Sequence, residues 1–142
     1  MRNVVGAVLV CMVGLMGCGG STDSPGATAT PTVHSIDSGN KRVNVNTSLA
    51  IGPFSLPAGA TVTYAITDMP TGIGNDTMNV AVVTDAMIQS GATALTGYSP
   101  QNGVSSPTGT TMQLPADSYD FWVFCNNLAD DCLFSDTVTA FY

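Results

Sequence analysis

Apolar and polar residues alternate along much of the chain after residue 33, with the period of two that a pleated strand imposes. The alternation is cleanest at 60–68, where Val62, Tyr64 and Ile66 point one way and threonines point the other. Another segment begins at Met78 and carries apolar residues on both faces, which favours a central position in a sheet. This pattern predicts a chain built from β-strands.

Turn-forming residues divide the pattern into about eight short antiparallel strands, which is typical of a single β-sandwich. The predicted strands lie at 34–37, 43–46, 49–56, 60–68, 78–83, 94–98, 110–114, 119–125 and 132–142. Gly52-Pro53 places its strand at an edge or a bulge, because proline cannot donate a ladder hydrogen bond. The chain has no glutamate and only three basic residues, and this scarcity of helix formers also favours an all-β fold.

Some stretches lack the alternation of a strand. A turn is predicted at 38–40, and long loops are predicted at 69–77 and 99–109. One helical turn is expected at 85–90, with Asp85 as its cap.

The C-terminal segment from Asp117 to Tyr142 is predicted as two strands joined by a six-residue loop. Cys125 and Cys132 stand at the two edges of this loop, and exported proteins form and keep disulfides. A disulfide between them predicts a closed hairpin in which Phe121 faces Asp136. A metal site on the two thiolates is the alternative, although the sequence has no histidine nearby.

Residues 1–18 have the features of an export signal. One arginine precedes an apolar run that is too short to span a membrane, and the run ends in Leu15-Met16-Gly17-Cys18. This ending resembles the lipobox of bacterial lipoproteins, which implies removal of 1–17 and acylation of Cys18, with membrane lipid as its partner. Gly19 in place of the aspartate of an inner-membrane retention signal implies the outer membrane of a diderm bacterium. An ordinary secretory signal is the alternative.

Residues 18–33 are predicted to be the acylated cysteine and a disordered tether, and residues 34–142 the folded domain. Small, polar and proline residues without apolar periodicity fill the tether. Without the signal segment the chain keeps Lys41 and Arg42 against ten aspartates, a formal charge of −8. Nucleic acid is therefore excluded as a partner, because phosphate backbones bind basic surfaces.

Two similar turns carry a second resemblance, over about 50–142. The segment FSLPAG at 54–59, a threonine-rich strand and the segment LPADSYDF at 114–121 look like the layout of pre-peptidase C-terminal-type β-sandwich modules. Those modules are jelly-roll-like accessory domains of secreted bacterial proteins, without catalytic residues. The resemblance implies a jelly-roll-like sandwich. Asp117 stands where that family usually has glycine, and the loop between the cysteines is extra.

No residues of the sequence have the pattern of an active site, and we expect a protein that is not an enzyme and has no cofactor. The only histidine, His34, lies at the junction of tether and domain, and no G-x-S-x-G motif is present. The one metal candidate is a Ca²⁺ site on the C-terminal loop, where oxygen ligands crowd together. Its residues are Asn126, Asn127, Asp130 and Asp131. Asparagine and aspartate also favour turns through local hydrogen bonds, which is the alternative.

In the predicted hairpin, Asp120, Trp122 and Phe124 face outward, and Leu133 lies on the same face across the hairpin. Apolar side chains beside polar groups on an exposed face are typical of a binding site, and tryptophan beside aspartate can stack a sugar ring. The alternative is that this face packs on the tether, on the 99–109 loop or on a second sheet.

The sequence therefore predicts a lipid-anchored, non-catalytic binding or interaction module of the cell envelope, with a glycan or an envelope protein as its partner. The alternative is a structural or assembly subunit that packs on another envelope protein. Binding of a glycan requires an exposed Trp122, whereas assembly requires that the same surface be covered.

Overall fold

The computed structural model describes residues 29–70, 76–90, 97–127 and 129–142. The predicted signal segment, Cys18 and most of the tether lie outside these residues. Eight strands and one short helix occupy the described residues in the following order: β1 (Val33–Val43), β2 (Ser48–Leu56), β3 (Thr61–Asp68), β4 (Met78–Thr84), α1 (Asp85–Gln89), β5 (Tyr98–Val104), β6 (Thr108–Thr110), β7 (Asp117–Cys125) and β8 (Cys132–Phe141). Within the described part of the chain, no helix has the length and hydrophobicity needed to cross a bilayer.

The strands form two antiparallel sheets of four strands each, stacked as a sandwich. Sheet A has the order β1-β8-β3-β6, and sheet B has the order β2-β7-β4-β5. Strands that follow one another from β1 to β4 are thus assigned alternately to the two sheets, as are β6, β7 and β8. This is the jelly-roll arrangement, so the predicted all-β, jelly-roll-like sandwich is confirmed.

The core lies between the inner faces of the two sheets. Val62, Tyr64 and Ile66 of β3 are all buried, as the alternation predicts. The ring of Tyr64 meets that of Phe121 at a centroid distance of 4.9 Å, so the aromatic centre of the core joins sheet A to sheet B. Burial of these large apolar side chains is the dominant stabilising contribution.

The predicted pairing within the C-terminal hairpin is wrong, because β7 and β8 lie in different sheets. β7 pairs with β2 and β4, whereas β8 pairs with β1 and β3. Asp136 is therefore opposite Gly39 and Ile66, not Phe121. Alternation shows which residues of a strand face inward but not which sheet the strand joins. A six-residue loop can cross the roughly 10 Å between stacked sheets as easily as it can turn within one.

Edge strands occupy several segments that the sequence pattern predicts as turns or loops. β1 continues through the predicted turn at 38–40, with a register shift between Ser35 and Asp37, and forms one edge of sheet A. β5 and β6 occupy most of the predicted loop at 99–109 and form edges of sheets B and A. Edge strands expose many of their residues, so their sequences are not required to alternate.

The structure tests three further local predictions, at β2, β4 and α1. β2 is an edge strand and its register shifts between Ile51 and Phe54, which confirms the prediction from Gly52-Pro53. β4 is an inner strand, also as predicted. Helix α1 begins at Asp85, but its cap is Thr84, whose Oγ1 accepts a hydrogen bond from the Met87 backbone N–H at 3.2 Å.

Two predicted strands have different outcomes. Most of the segment 94–98 lies outside the described residues, and β5 begins only at Tyr98. The segment predicted at 110–114 is a strand only at its first residue, where β6 ends. Leu114 is nevertheless buried and Met112 is 77% exposed.

Candidate functional site

The disulfide between Cys125 and Cys132 is confirmed, and it joins the two sheets at one end of the sandwich. The Cα atoms are 5.6 Å apart, within the usual range, and both residues are fully buried. Since Cys125 ends β7 and Cys132 begins β8, the bond fixes how the chain crosses from sheet B to sheet A.

Trp122 and Phe124 lie on the outer face of sheet B, and both are half-buried. Their ring centroids are 5.7 Å apart and their planes differ by 7°. On β2 the residues opposite them are Ala50 and Ser48, which are small and exposed. We call Trp122 and Phe124 the aromatic row. The exposed side chains of Ser48 and Ala50 on β2 lie beside it, and we call this surface the shelf.

The other side of the aromatic row is covered. Met87 of helix α1 and Trp122 pack against the buried Ala81 and Val83 of β4. A Cβ atom at Gly97 would lie 2.7 Å from the Ala81 Cβ atom, so the backbone there approaches the sheet directly. Among the described residues, helix α1 and the backbone at Gly97 cover the β4 side of this face. The predicted alternative named the tether, the 99–109 loop or a second sheet as the cover, so it is not confirmed. On the β2 side, Ala50 and Ser48 are exposed.

Asp120 shares the outer face of β7 but is buried, at 5% exposure. Burial, a hydrogen bond with the Asp85 side chain and the charge of Asp85 raise the pKa of Asp120 to about 6. Gly52 leaves room for this carboxyl group, because a Cβ atom there would clash with the Asp120 Oδ1 atom. With a pKa of about 6, Asp120 takes up a proton at a higher pH than an exposed aspartate does.

Leu133 does not join the aromatic row, because it lies on β8 in sheet A. It lines a cleft of about 300 Å³ together with Arg42, Ala129, Asp130 and Asp131. The Arg42 guanidinium donates to Asp131 at 2.5 and 2.8 Å, and the pKa of Asp131 is lowered by this hydrogen bond first and by the Val45 N–H second. The cleft is closed at one side by an ion pair.

The four residues of the predicted Ca²⁺ site do not converge on one point. Asp131 binds Arg42 and the Val45 N–H, and the Asn127 side-chain amide donates to Asp76 at 2.7 Å. Asn126 and Asp130 are exposed. In the described residues, no three His, Cys, Asp or Glu side chains are grouped as metal ligands would be. The hydrogen bonds of Asp131 and Asn127 reach residues that are 51 to 89 positions away, so they join this loop to other segments of the chain.

Asp76, a carboxylate outside the four residues of the predicted Ca²⁺ site, organises the end of the sandwich beside the disulfide. Its Oδ2 accepts from the Leu133 N–H at 3.0 Å, and its backbone N–H donates to Asp68 at 3.1 Å. Burial and the charge of Asp76 raise the pKa of Asp68. These contacts are structural, since each oxygen of Asp76 is used by a neighbouring segment.

A group missed by the sequence analysis lies between β1 and β8. The Lys41 Nζ atom is 2.9 Å from an Asp37 oxygen and 3.7 Å from an Asp136 oxygen, and the Asp136 side chain is fully buried. Neither oxygen of Asp136 has a hydrogen-bond partner among the described residues. The signal for this group was available, because Asp136 occupies an inward position between Phe134 and Val138.

Comparisons with known proteins give likenesses to solved structures. No family model matches the chain, and no curated protein matches it. The chain is similar to a chain in a solved structure described as "Bacillus endospore appendages form a novel family of disulfide-linked pili". The identity is 12%, the TM-score is 0.45, and the alignment covers 82% of this chain and 92% of that one. At this TM-score the likeness carries no inference about function.

Proposed function

We propose that this protein is a non-catalytic binding module of the bacterial envelope that takes a neutral glycan on the aromatic row and the shelf beside it. The observation that carries this proposal is the half-buried pair Trp122 and Phe124, with ring planes 7° apart, beside an open surface of small residues. Sugar rings present apolar C–H faces that pack on aromatic side chains, and rigid aromatic rings lose little entropy on binding.

The neighbours of the aromatic row suit a sugar better than a protein helix. Ser48 and Asn79 flank Phe124 in the register. Ser48 offers a hydroxyl to sugar hydroxyl groups, and Asn79 offers its side-chain NH₂, since its Oδ1 accepts from the Gly103 N–H. Ala50 leaves the space beside Trp122 free for a ring lying across β2. The formal charge of −8 after loss of the signal disfavours anionic polymers, so a neutral saccharide is the expected ligand.

The anchor proposed for this module is Cys18, at the end of a tether that enters the fold at Val33. Several acyl chains hold a protein on a bilayer stably, since each buried methylene contributes about 0.8 kcal/mol. The wild-type chain should partition with the detergent phase and fractionate with outer membranes. Cys18→Ser should move it to the soluble fraction. Recovery of both proteins in the soluble fraction would refute the anchor while leaving the glycan proposal standing.

The binding proposal is tested with the single tryptophan. Acrylamide is the suitable quencher, because an acidic protein repels iodide. We expect cellohexaose, chitohexaose or maltohexaose to protect Trp122 from quenching, and calorimetry to give heat at the same concentrations. Phe124→Ala should weaken binding about fivefold, the equivalent of about 1 kcal/mol. Phe141→Ala, a half-buried aromatic change in sheet A, is the matched control and should leave binding unchanged.

If none of the three oligosaccharides changes Trp122 quenching or gives heat at millimolar concentration, a neutral hexose polymer is not the ligand. The second candidate function is then an assembly subunit. Val33 and Tyr142 are apolar and exposed, at 63% and 43%, and they lie at neighbouring ends of β1 and β8. Assembly through this end predicts self-association in sedimentation velocity that Val33→Asp abolishes. A monomer at all concentrations would refute it.

A further inference from the structure

We propose that Lys41 and Asp136 form an intramolecular isopeptide bond that covalently joins the first and last strands of the sandwich. The two side chains lie on the inner side of the β1–β8 pair, and Lys41 Nζ is 3.7 Å from Asp136 Oδ1. Reacting atoms in a productive pair are roughly 3–3.5 Å apart. The atom that the amine would attack is Cγ, which is bonded to Oδ1, so the amine lies next to the group with which it would react. The inference does not depend on the glycan proposal.

The carboxyl group of Asp136 is placed as an electrophile rather than as a solvated anion. Its side chain has no exposed surface, and neither oxygen is within hydrogen-bond distance of a donor in the described residues. It lies between Gly39 on β1 and Ile66 on β3, so neither cross-strand neighbour supplies a donor side chain. Burial, opposed by Lys41, raises the pKa of Asp136 and favours the neutral acid.

The amine is held in place from the other side. Lys41 Nζ is 2.9 Å from Asp37 Oδ2, and it lies 3.9 Å from the point where a Cβ atom of Gly39 would be. Because Gly39 has no side chain, the Lys41 side chain can extend along β1 toward Asp136, which is paired with Gly39. The hydrogen bond to Asp37, followed by the charge of Asp136, raises the pKa of Lys41 against the opposing effect of burial, so the resting amine is protonated.

Asp37 is therefore needed as a proton carrier. It accepts one proton from the Lys41 ammonium, and the neutral amine attacks Cγ of the protonated Asp136. The Nζ–Cγ bond forms, the Cγ–OH bond breaks, and the hydroxyl leaves as water after taking a proton from Asp37, which regains one from the nitrogen. The atoms balance without an oxidant, a reductant or a cofactor. The products are an amide, one water molecule and a protonated Asp37.

Two physical effects favour this condensation inside the protein. A fixed pair of reacting groups has an effective concentration of about 10⁵–10⁸ M, which removes the entropic cost of bringing them together. In water, amine and acid are held apart as hydrated ions, but the fully buried side chain of Asp136 has lost that hydration. An amide in the same place leaves no buried charge, so it removes the cost of the unpartnered Asp136 oxygens.

The sequence provides a direct test, because Lys41 and Arg42 are the only basic residues after Arg2. The full-length protein is purified, denatured, reduced and digested with trypsin. Without the bond, cleavage at Arg42 separates the N-terminal peptide from 43–142, and the disulfide cannot hold them since both cysteines lie in 43–142. With the bond, the two pieces stay joined, cleavage after Lys41 is blocked, and the product is lighter than the sum of its pieces by one water molecule.

Variants identify the reacting groups. Lys41→Arg keeps the charge and should give two separate pieces, because a guanidinium stays protonated near neutral pH and is then not a nucleophile. Asp136→Asn should still form the bond by losing ammonia, giving a joined product of the same mass as wild type. Asp37→Asn should slow joining at least tenfold in a time course after refolding. Full separation of the wild-type pieces, with unchanged masses, would overturn the proposal.

Discussion

Replacing Asp120 with asparagine should stabilise this protein at neutral pH and flatten the dependence of its stability on pH. Asp120 is 5% exposed on β7 and faces the Asp85 side chain of helix α1. Two carboxyl groups joined by a hydrogen bond cannot both ionise without a cost in free energy, and burial adds to that cost. Asparagine keeps the shape and the hydrogen-bonding capacity of the protonated acid, but it carries no charge at any pH.

The magnitude follows from the pKa of Asp120. It is raised from 3.8 to about 6 in the folded protein, so between these values the folded state binds more protons than the unfolded state. The contribution of Asp120 to the free energy of unfolding is therefore fully present below about pH 4 and is lost as the pH rises through about 6. Two pH units correspond to at most about 3 kcal/mol, and we expect Asp120→Asn to recover about 1–3 kcal/mol at pH 7.5.

The assay is urea unfolding of the wild type and Asp120→Asn at pH 4, 6 and 7.5. The two proteins should differ little at pH 4 and most at pH 7.5. Asp130→Asn is the control, since it removes the same charge from an exposed site and reports the effect of net charge alone. Some dependence of stability on pH should remain in Asp120→Asn, because the pKa of Asp68 is also raised by burial.

The reasoning is refuted if Asp120→Asn is no more stable than the wild type at pH 7.5, or if Asp130→Asn has the same effect. The first result would mean that Asp120 is ionised at little cost in the fold. The second would mean that relief of general charge repulsion, and not the pair with Asp85, explains the change.

Three further substitutions test the framework around the site. The double change of Cys125 and Cys132 to serine opens an eight-residue loop and should lower the free energy of unfolding by about 2–3 kcal/mol in urea, an effect that vanishes under reducing conditions. Phe121→Ala removes a fully buried ring and should cost about 3–5 kcal/mol, against less than half that for the half-buried Phe141→Ala. Asp76→Ala leaves the Leu133 N–H without its acceptor and should cost about 1–3 kcal/mol, with faster hydrogen exchange at Leu133; unchanged exchange there would contradict the role given to Asp76.

Sequence pattern was sufficient for the inner strands and for the edge strand β2, and insufficient for the other three edge strands. Val62, Tyr64 and Ile66 had to alternate because β3 lies between β8 and β6 with one face on the core. The edge strands β1, β5 and β6 meet no such requirement, and all were predicted at least partly as turns or loops. The fold class could be predicted because it depends on the inner strands, whereas the full strand list depends on the edges.

The candidate site could be predicted only where it depends on one strand. Alternation along β7 correctly put Trp122 and Phe124 on one outer face. It could not place Leu133 relative to them, because that requires knowing that the loop crosses between sheets. The group at Lys41 and Asp136 depends on β1 lying beside β8, a contact between residues 95 positions apart that no local pattern encodes.

The position of β8 connects the two covalent links of this molecule. It lies between β1 and β3, begins at Cys132, and carries Asp136 near its middle. A pull on the tether would peel β1 from β8 starting at Val33, because Val33 is paired with Phe141 at the outer end. The proposed bond at Lys41 would stop this peeling, because it joins β1 to β8. The disulfide joins β8 in turn to β7 in the opposite sheet. When the protein is pulled by its two ends, the wild type should therefore release the part of β1 before Lys41. Lys41→Arg should instead release all of the chain up to Cys125. Equal extensions would show that no covalent path runs through β8.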